Sequence, residues 1–126
     1  MSDRVLHYTK DGVITAGNQY AYFSFDTDTL LDGNATYIFD IIITVHQPEA
    51  SYSEGGRWMA SCRRDSGALI SLKNQPQKFF VTSEVSVALT WVKSGDTIDF
   101  TYDNYYTAGS KWWRVWMDIY GKDNTV

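Results

Sequence analysis

The sequence predicts an all-β protein, a single antiparallel β-sandwich of jelly-roll type with about nine or ten short strands. Apolar and polar residues alternate with period two along most of the chain, which is the pattern of strands that bury one face. The spacing of three and four that marks amphipathic helices is absent from every long stretch. Clusters of Gly, Asp, Asn and Ser separate the runs at even intervals, and the 126 residues suit one domain, 1–126.

In the first half of the chain, alternating runs end at turn residues. Lys10-Asp11-Gly12 is a turn signal, and the stretch from Asp26 to Asn34 is predicted to be a polar loop. The longest run has an apolar odd face that we expect in the core, formed by Tyr37, Phe39, Ile41, Ile43 and Val45. The predicted strands are Arg4–Thr9, Val13–Ala16, Gln19–Phe25 and Ala35–His46.

In the second half, Pro48 to Gly56 is predicted to be a loop and Arg64 to Gly67 a tight hairpin connection. Further turns are expected at Asn74–Gln77 and Lys93–Asp96, and a Tyr-rich loop at Asn104–Ser110. The predicted strands are Arg57–Arg63, Ala68–Lys73, Lys78–Thr82, Glu84–Val92, Thr97–Asp103 and Lys111–Tyr120.

The last of these strands is aromatic on both faces. One face, with Trp113, Val115, Met117 and Ile119, is expected to complete the core. The other face carries Trp112, Arg114, Trp116, Asp118 and Tyr120, and Tyr105 and Tyr106 precede it in the loop. Because other strands already supply ample core residues, we expect this second face to meet something outside the core. Trp, Tyr and Arg dominate subunit interfaces, but the same residues could stack on a sugar, or the chain's own loops could cover them.

The formal net charge of −4 argues against nucleic acid or an anionic membrane as the main partner. The first eight residues, Met1 to Tyr8, contain no apolar segment, so we expect no signal peptide. The longest aliphatic run, Ile41 to Ile43, is far too short to cross a membrane.

No pattern in the chain specifies a reaction, a metal or a cofactor. The single cysteine, Cys62, is expected to be a small buried side chain, and His7 and His46 occur in no metal-binding motif. The loop from Asp26 to Asn34 departs from the EF-hand spacing and is better explained as a solvated turn, although the sequence leaves calcium binding there open. Ser66 is not in a nucleophile elbow, and no carboxylate pair is singled out for hydrolysis.

The stretch from Ser86 to Tyr102 resembles the C1q/TNF-like jelly roll, in which an apolar strand leads through a Gly-Asp turn into a second alternating strand. Gly33 to Phe39 is similar to the family's Gly-x-Tyr-x-Phe strand start, and the aromatic last strand also resembles that family. The resemblance implies a trimer with aromatic residues along its axis. It also implies the roles that viruses give such domains, namely head decoration, head fibres and tail-fibre tips.

The sequence therefore predicts a non-enzymatic structural protein of a virion, a capsid decoration or fibre-head subunit made in the host cytoplasm. We expect it to assemble as a homo-oligomer, most specifically a trimer, and with other virion proteins through the aromatic strand face. The alternative is a carbohydrate-binding module or receptor-binding tip that uses the same face on a glycan.

Overall fold

The computed structural model describes residues 4–31, 33–47, 52–81, 87–104 and 109–122. These residues form two antiparallel sheets, one with strand order β1-β8-β3-β4-β5 and one with order β2-β7-β6. The elements are β1 (Arg4–Ile14), β2 (Tyr20–Asp26), α1 (Thr27–Leu30), β3 (Ala35–Gln47), β4 (Tyr52–Asp65), β5 (Ala68–Val81), β6 (Ala88–Ser94), β7 (Thr97–Asp103) and β8 (Lys111–Gly121). The predicted all-β sandwich is confirmed.

The core lies between the inner faces of the two sheets. Phe23 of β2 stacks on Phe100 of β7 with ring centroids 4.7 Å apart, and Phe39 of β3 meets Trp91 of β6 edge-on at 5.8 Å. The apolar odd face predicted for the longest strand is buried along its whole length. The odd face of β8 is buried as well, so the sequence patterns assigned both core faces correctly.

The jelly-roll form of the prediction is not confirmed. Strands β3, β4 and β5 are successive neighbours in one sheet, as in a meander, and β6 and β7 form a hairpin in the other. Three pairs join strands that are distant in sequence: β1 with β8, β2 with β7 and β3 with β8.

Two predicted turns lie inside strands, so the described ranges contain eight strands instead of nine or ten. Lys10-Asp11-Gly12 continues β1, where Gly12 is needed because a Cβ there would lie 2.7 Å from the Trp113 ring. Asn74 to Pro76 form an irregularity within β5, between the pairs Lys73–Ser61 and Gln77–Met59.

The predicted loop from Pro48 to Gly56 is also too long, because β4 begins at Tyr52 and pairs with β3 from there. The start of the strand predicted at Glu84 lies outside the described residues. Among the described residues, no helix is long and apolar enough to span a membrane.

Candidate binding surface on the five-stranded sheet

The even-numbered residues of β8 point away from the core. Trp112 is half exposed and Arg114 is exposed, whereas Trp116, Asp118 and Tyr120 are partly covered by neighbours on the same face. The strand thus has one buried and one outward face, as its alternation predicts. The two other predicted site residues, Tyr105 and Tyr106, lie outside the described residues.

Strand β8 lies between β1 and β3, so its outward residues belong to a wider surface. Each is flanked by one residue from either neighbour, since Trp116 pairs with Thr9 and Ile42, and Trp112 with Val13 and His46. We call this surface the outer face, meaning the solvent-facing side of the five-stranded sheet. Its composition is therefore set by five strands, of which the sequence singled out one.

An ion pair and a hydrogen-bonded pair lie in the middle of the outer face. Arg57 of β4 donates two hydrogen bonds to the Asp40 carboxylate, at 2.8 and 2.7 Å, and this pairing raises the pKa of Arg57. His7 Nδ1 lies 2.7 Å from Asp118 Oδ1. All four side chains therefore already have close partners within the chain.

One side of the outer face is apolar. Exposed aliphatic and aromatic side chains from β3, β4 and β5 surround the pair of Arg57 and Asp40, and the Arg57 guanidinium carbon lies 5.2 Å from the centre of the Phe79 ring. We call this set the apolar patch: Ile38, Ile42, Met59, Phe79 and Phe80. The sequence did not predict this patch, because its residues come from three strands that become neighbours only through the strand order of the sheet. The adjacent pair Phe79-Phe80 was the one local signal.

The other side of the outer face contains a groove of about 420 Å³. Residues of β1, β8 and β3 line it, and we call it the Trp112 groove: Asp11, Val13, Thr44, His46, Trp112 and Arg114. The Arg114 guanidinium carbon lies 5.5 Å from the centre of the Trp116 ring, and its Nη1 lies 3.9 Å from Asp11 Oδ2. A second hollow of about 370 Å³ continues from Thr44 and His46 past Gly55 to Phe80.

The solvent side of the three-stranded sheet is more polar than the outer face of the five-stranded sheet. Ser24 donates to Asp99 at 2.6 Å and Gln19 to Asp103 at 3.0 Å, so hydroxyl, amide and carboxylate groups occupy much of it. Its exposed apolar side chains are Val92 and the phenol rings of Tyr20 and Tyr22. Aliphatic exposure is therefore concentrated on the outer face of the larger sheet.

The described side-chain oxygens of the loop from Asp26 to Asn34 are engaged within the protein, by the loop itself and by β4 and the turn that follows it. Asp26 caps α1, and its hydrogen bond from the Thr29 hydroxyl holds the pKa of the Asp26 carboxyl below its usual value. Asp28 pairs with the buried Arg64 at 3.3 Å, and the Asn34 side chain accepts from the Gly67 amide. Asp32 lies outside the described residues, and the part of the chain that the structure describes contains no group of three or more His, Cys, Asp and Glu placed to hold a metal.

Cys62 is buried, as predicted, and burial raises the pKa of its thiol to about 12, so it is protonated at neutral pH. Ser66 lies in the turn between β4 and β5 with φ of 54°. The buried Glu54 accepts a hydrogen bond of 2.8 Å from the Tyr102 hydroxyl.

No protein-family model matches the chain, and no curated protein matches it. One solved structure that resembles it is the tailspike protein of Acinetobacter baumannii phage AM24, with 11% sequence identity and a TM-score of 0.49. The similarity covers 95% of this chain and 26% of the tailspike chain. A likeness of this size carries no argument about function.

Proposed function

We propose that this chain is a non-enzymatic structural subunit of a virion, a capsid decoration or fibre-head protein that assembles through the apolar patch on the outer face of its five-stranded sheet. It joins other copies as a homo-oligomer, a trimer in the specific form of the proposal, and also contacts other virion proteins. The observation that carries the assembly is the apolar patch. The virion setting and the trimer rest on the resemblance to C1q/TNF-like domains in the sequence.

The apolar patch favours a contact with protein. Scattered exposed apolar residues are ordinary on a monomer, but contiguous patches rimmed by polar groups mark interaction sites. Burying a large apolar side chain fully contributes about 1.5–3 kcal/mol, so each half-exposed member of the patch would contribute about 1 kcal/mol. Five such residues supply about 5 kcal/mol of favourable free energy, from which the cost of association is still to be subtracted.

The pair of Arg57 and Asp40 inside the patch suits an interface. Burying an unpaired charge in an interface is costly. Arg57 and Asp40 would be buried together with their two hydrogen bonds intact, so each charge keeps its partner when water is excluded. The Phe79 ring next to the Arg57 guanidinium adds the aromatic and arginine contact that recurs at interface centres. The patch is thus apolar around a charge pair that is already neutralised.

The side-chain types in the patch favour protein over sugar at this position. Sugars are held by flat rings and by hydrogen-bonding groups, whereas Ile38, Ile42 and Met59 offer neither.

Light scattering after size exclusion tests the proposal. The wild-type protein is expected to have a mass of at least twice the 14.4 kDa of one chain, and of three times that mass if it is a trimer. Phe80→Glu places a charge in the patch at a half-exposed position and is expected to yield monomers, while Val92→Glu, its control on the other sheet, is expected to keep the wild-type mass. Circular dichroism verifies that each variant is folded, and Ile38→Lys repeats the test at a second position in the patch.

A wild-type protein that is monomeric at every concentration would contradict the proposed assembly. Dissociation of the Val92→Glu variant with an intact Phe80→Glu oligomer would contradict the choice of face.

A further inference from the structure

We infer that the Trp112 groove is a separate ligand site and that it binds a pyranose unit of a glycan. The groove belongs to β1, β8 and the end of β3, whereas the apolar patch belongs to β3, β4 and β5. The two sites can therefore be occupied at the same time on one face. The occupant is identified by the ring, the hydrogen-bonding groups and the size of the groove.

The ring available for stacking is that of Trp112. Its side chain is 50% exposed, although the adjacent Trp113 is buried in the core. The neighbouring Trp116 ring is contacted by the Arg114 guanidinium at 5.5 Å and is partly covered. An exposed indole presents a broad apolar surface with a polar edge, which matches the C–H face of a pyranose ring.

Asp11 and Arg114 supply the complementary polar groups. Their closest side-chain atoms are 3.9 Å apart, which is longer than a hydrogen bond, and neither side chain makes a hydrogen bond within the described ranges. This distinguishes them from the two close pairs in the middle of the face, Arg57 with Asp40 and His7 with Asp118, which are both at 2.7 Å. A carboxylate that accepts next to a guanidinium that donates fits two neighbouring hydroxyls of one sugar ring.

The remaining groove residues complete the site. Thr44 and the exposed His46 line the groove from β3, on the other side of β8 from Asp11. The volume of about 420 Å³ falls within the range of about 300–1,000 Å³ that is usual for small-molecule sites.

A printed array of neutral and acidic oligosaccharides, probed with the full-length assembled protein, tests the inference. Calorimetry with the oligosaccharide that binds best then gives the affinity. Trp112→Ala is expected to weaken binding at least about tenfold, and Asp11→Asn to weaken it by a smaller factor. Val92→Ala, at an exposed position of the other sheet, is the matched control and is expected to bind as the wild type does.

The mass of each variant separates this inference from the proposed assembly. Trp112→Ala is expected to keep the wild-type oligomer, and Phe80→Glu is expected to keep glycan binding as a monomer. Failure of every oligosaccharide on the array to bind would overturn the inference. Equal affinity of Trp112→Ala and Val92→Ala would also overturn it, as would loss of the oligomer in Trp112→Ala, since the ring would then be a subunit contact.

Discussion

At the scale of single residues, the stability of one end of the sandwich depends on Arg64. Its side chain is buried and donates hydrogen bonds to the carbonyls of Leu31, Gly33 and Gly67 and to the Asp28 carboxylate. The guanidinium thereby ties the loop before β3 to the hairpin between β4 and β5. The sequence shows only a basic pair, Arg63-Arg64, and does not reveal which member turns inward.

Arg64→Ala is expected to lower the free energy of unfolding by about 3 kcal/mol, because it leaves buried carbonyls without donors. Urea unfolding followed by tryptophan fluorescence measures the change. The control is Arg63→Ala, since Arg63 is exposed and pairs only with Asp65 in the described part of the chain, so its loss is expected to cost less than about 0.5 kcal/mol. Equal effects of the two substitutions would contradict the structural role of Arg64.

Lys111 is the residue whose burial the sequence predicts least. It begins β8 on the inner face, where its Nζ donates to the Asn18 carbonyl at 3.2 Å. Burial lowers the pKa of this amine from its usual 10.5, while the nearby Glu54 carboxylate acts in the opposite direction. The unfolded chain therefore binds more protons than the folded one between the lowered pKa and 10.5.

The stability contribution of Lys111 must then rise as pH rises through that window, since stability increases with pH wherever the unfolded state binds more protons. We expect the wild type to gain stability relative to Lys111→Met between neutral pH and about 10.5. Urea midpoints of both proteins across this range measure the difference, in which the titrations common to both cancel. A difference that stays constant with pH would contradict the effect.

At the scale of elements, the alternation of apolar and polar residues predicted most strands. It did not predict where two of the predicted strands are one continuous strand. Strand β7 was predicted with its observed bounds, because Ile98, Phe100 and Tyr102 alternate cleanly with polar residues. The turn predicted at Lys10–Gly12 was wrong because local propensity favours a turn, whereas packing of the Trp113 ring on Gly12 holds it within β1. Such a contact joins residues about a hundred positions apart, which no local pattern encodes.

Edge strand β5 of the larger sheet lies next to edge strand β6 of the smaller one, and we call this junction the seam. The side chain of Gln75 bridges it by hydrogen bonds. Its amide accepts from the Trp91 backbone N–H at 2.8 Å and donates to the Trp91 carbonyl at 3.1 Å, as a neighbouring strand would. The Trp91 indole N–H also donates to the Asn74 carbonyl at 2.6 Å. The irregularity in β5 thus links the edge of one sheet to the edge of the other.

Gln75→Ala is expected to destabilise the protein by about 2 kcal/mol, because it removes both partners of the Trp91 backbone. It is also expected to speed amide hydrogen exchange along β6. Gln77→Ala is the control, since Gln77 is exposed and donates only to the Gln75 carbonyl among the described residues. Unchanged exchange in β6 would show that the seam does not depend on this amide.

At the scale of the whole molecule, the two sheets present different chemistry to solvent. Period-two alternation was enough to predict that β8 has an outward face, but not that β1, β3, β4 and β5 extend it. The apolar patch and the Trp112 groove both arise from this strand order. Candidate residues on one strand were therefore predictable, while the shape of the sites and the division between them were not.

The central claim is that the apolar patch on the outer face of the five-stranded sheet becomes covered in the assembled protein. Hydroxyl-radical footprinting at high and low protein concentration tests it most directly, because Met59, Phe79 and Phe80 in the patch and Tyr22 on the other sheet are all exposed reactive side chains. We predict that the patch residues are oxidised several-fold more slowly at high concentration, while Tyr22 is oxidised at the same rate. Protection of Tyr22 with unchanged oxidation of Met59 and Phe80 would contradict the claim.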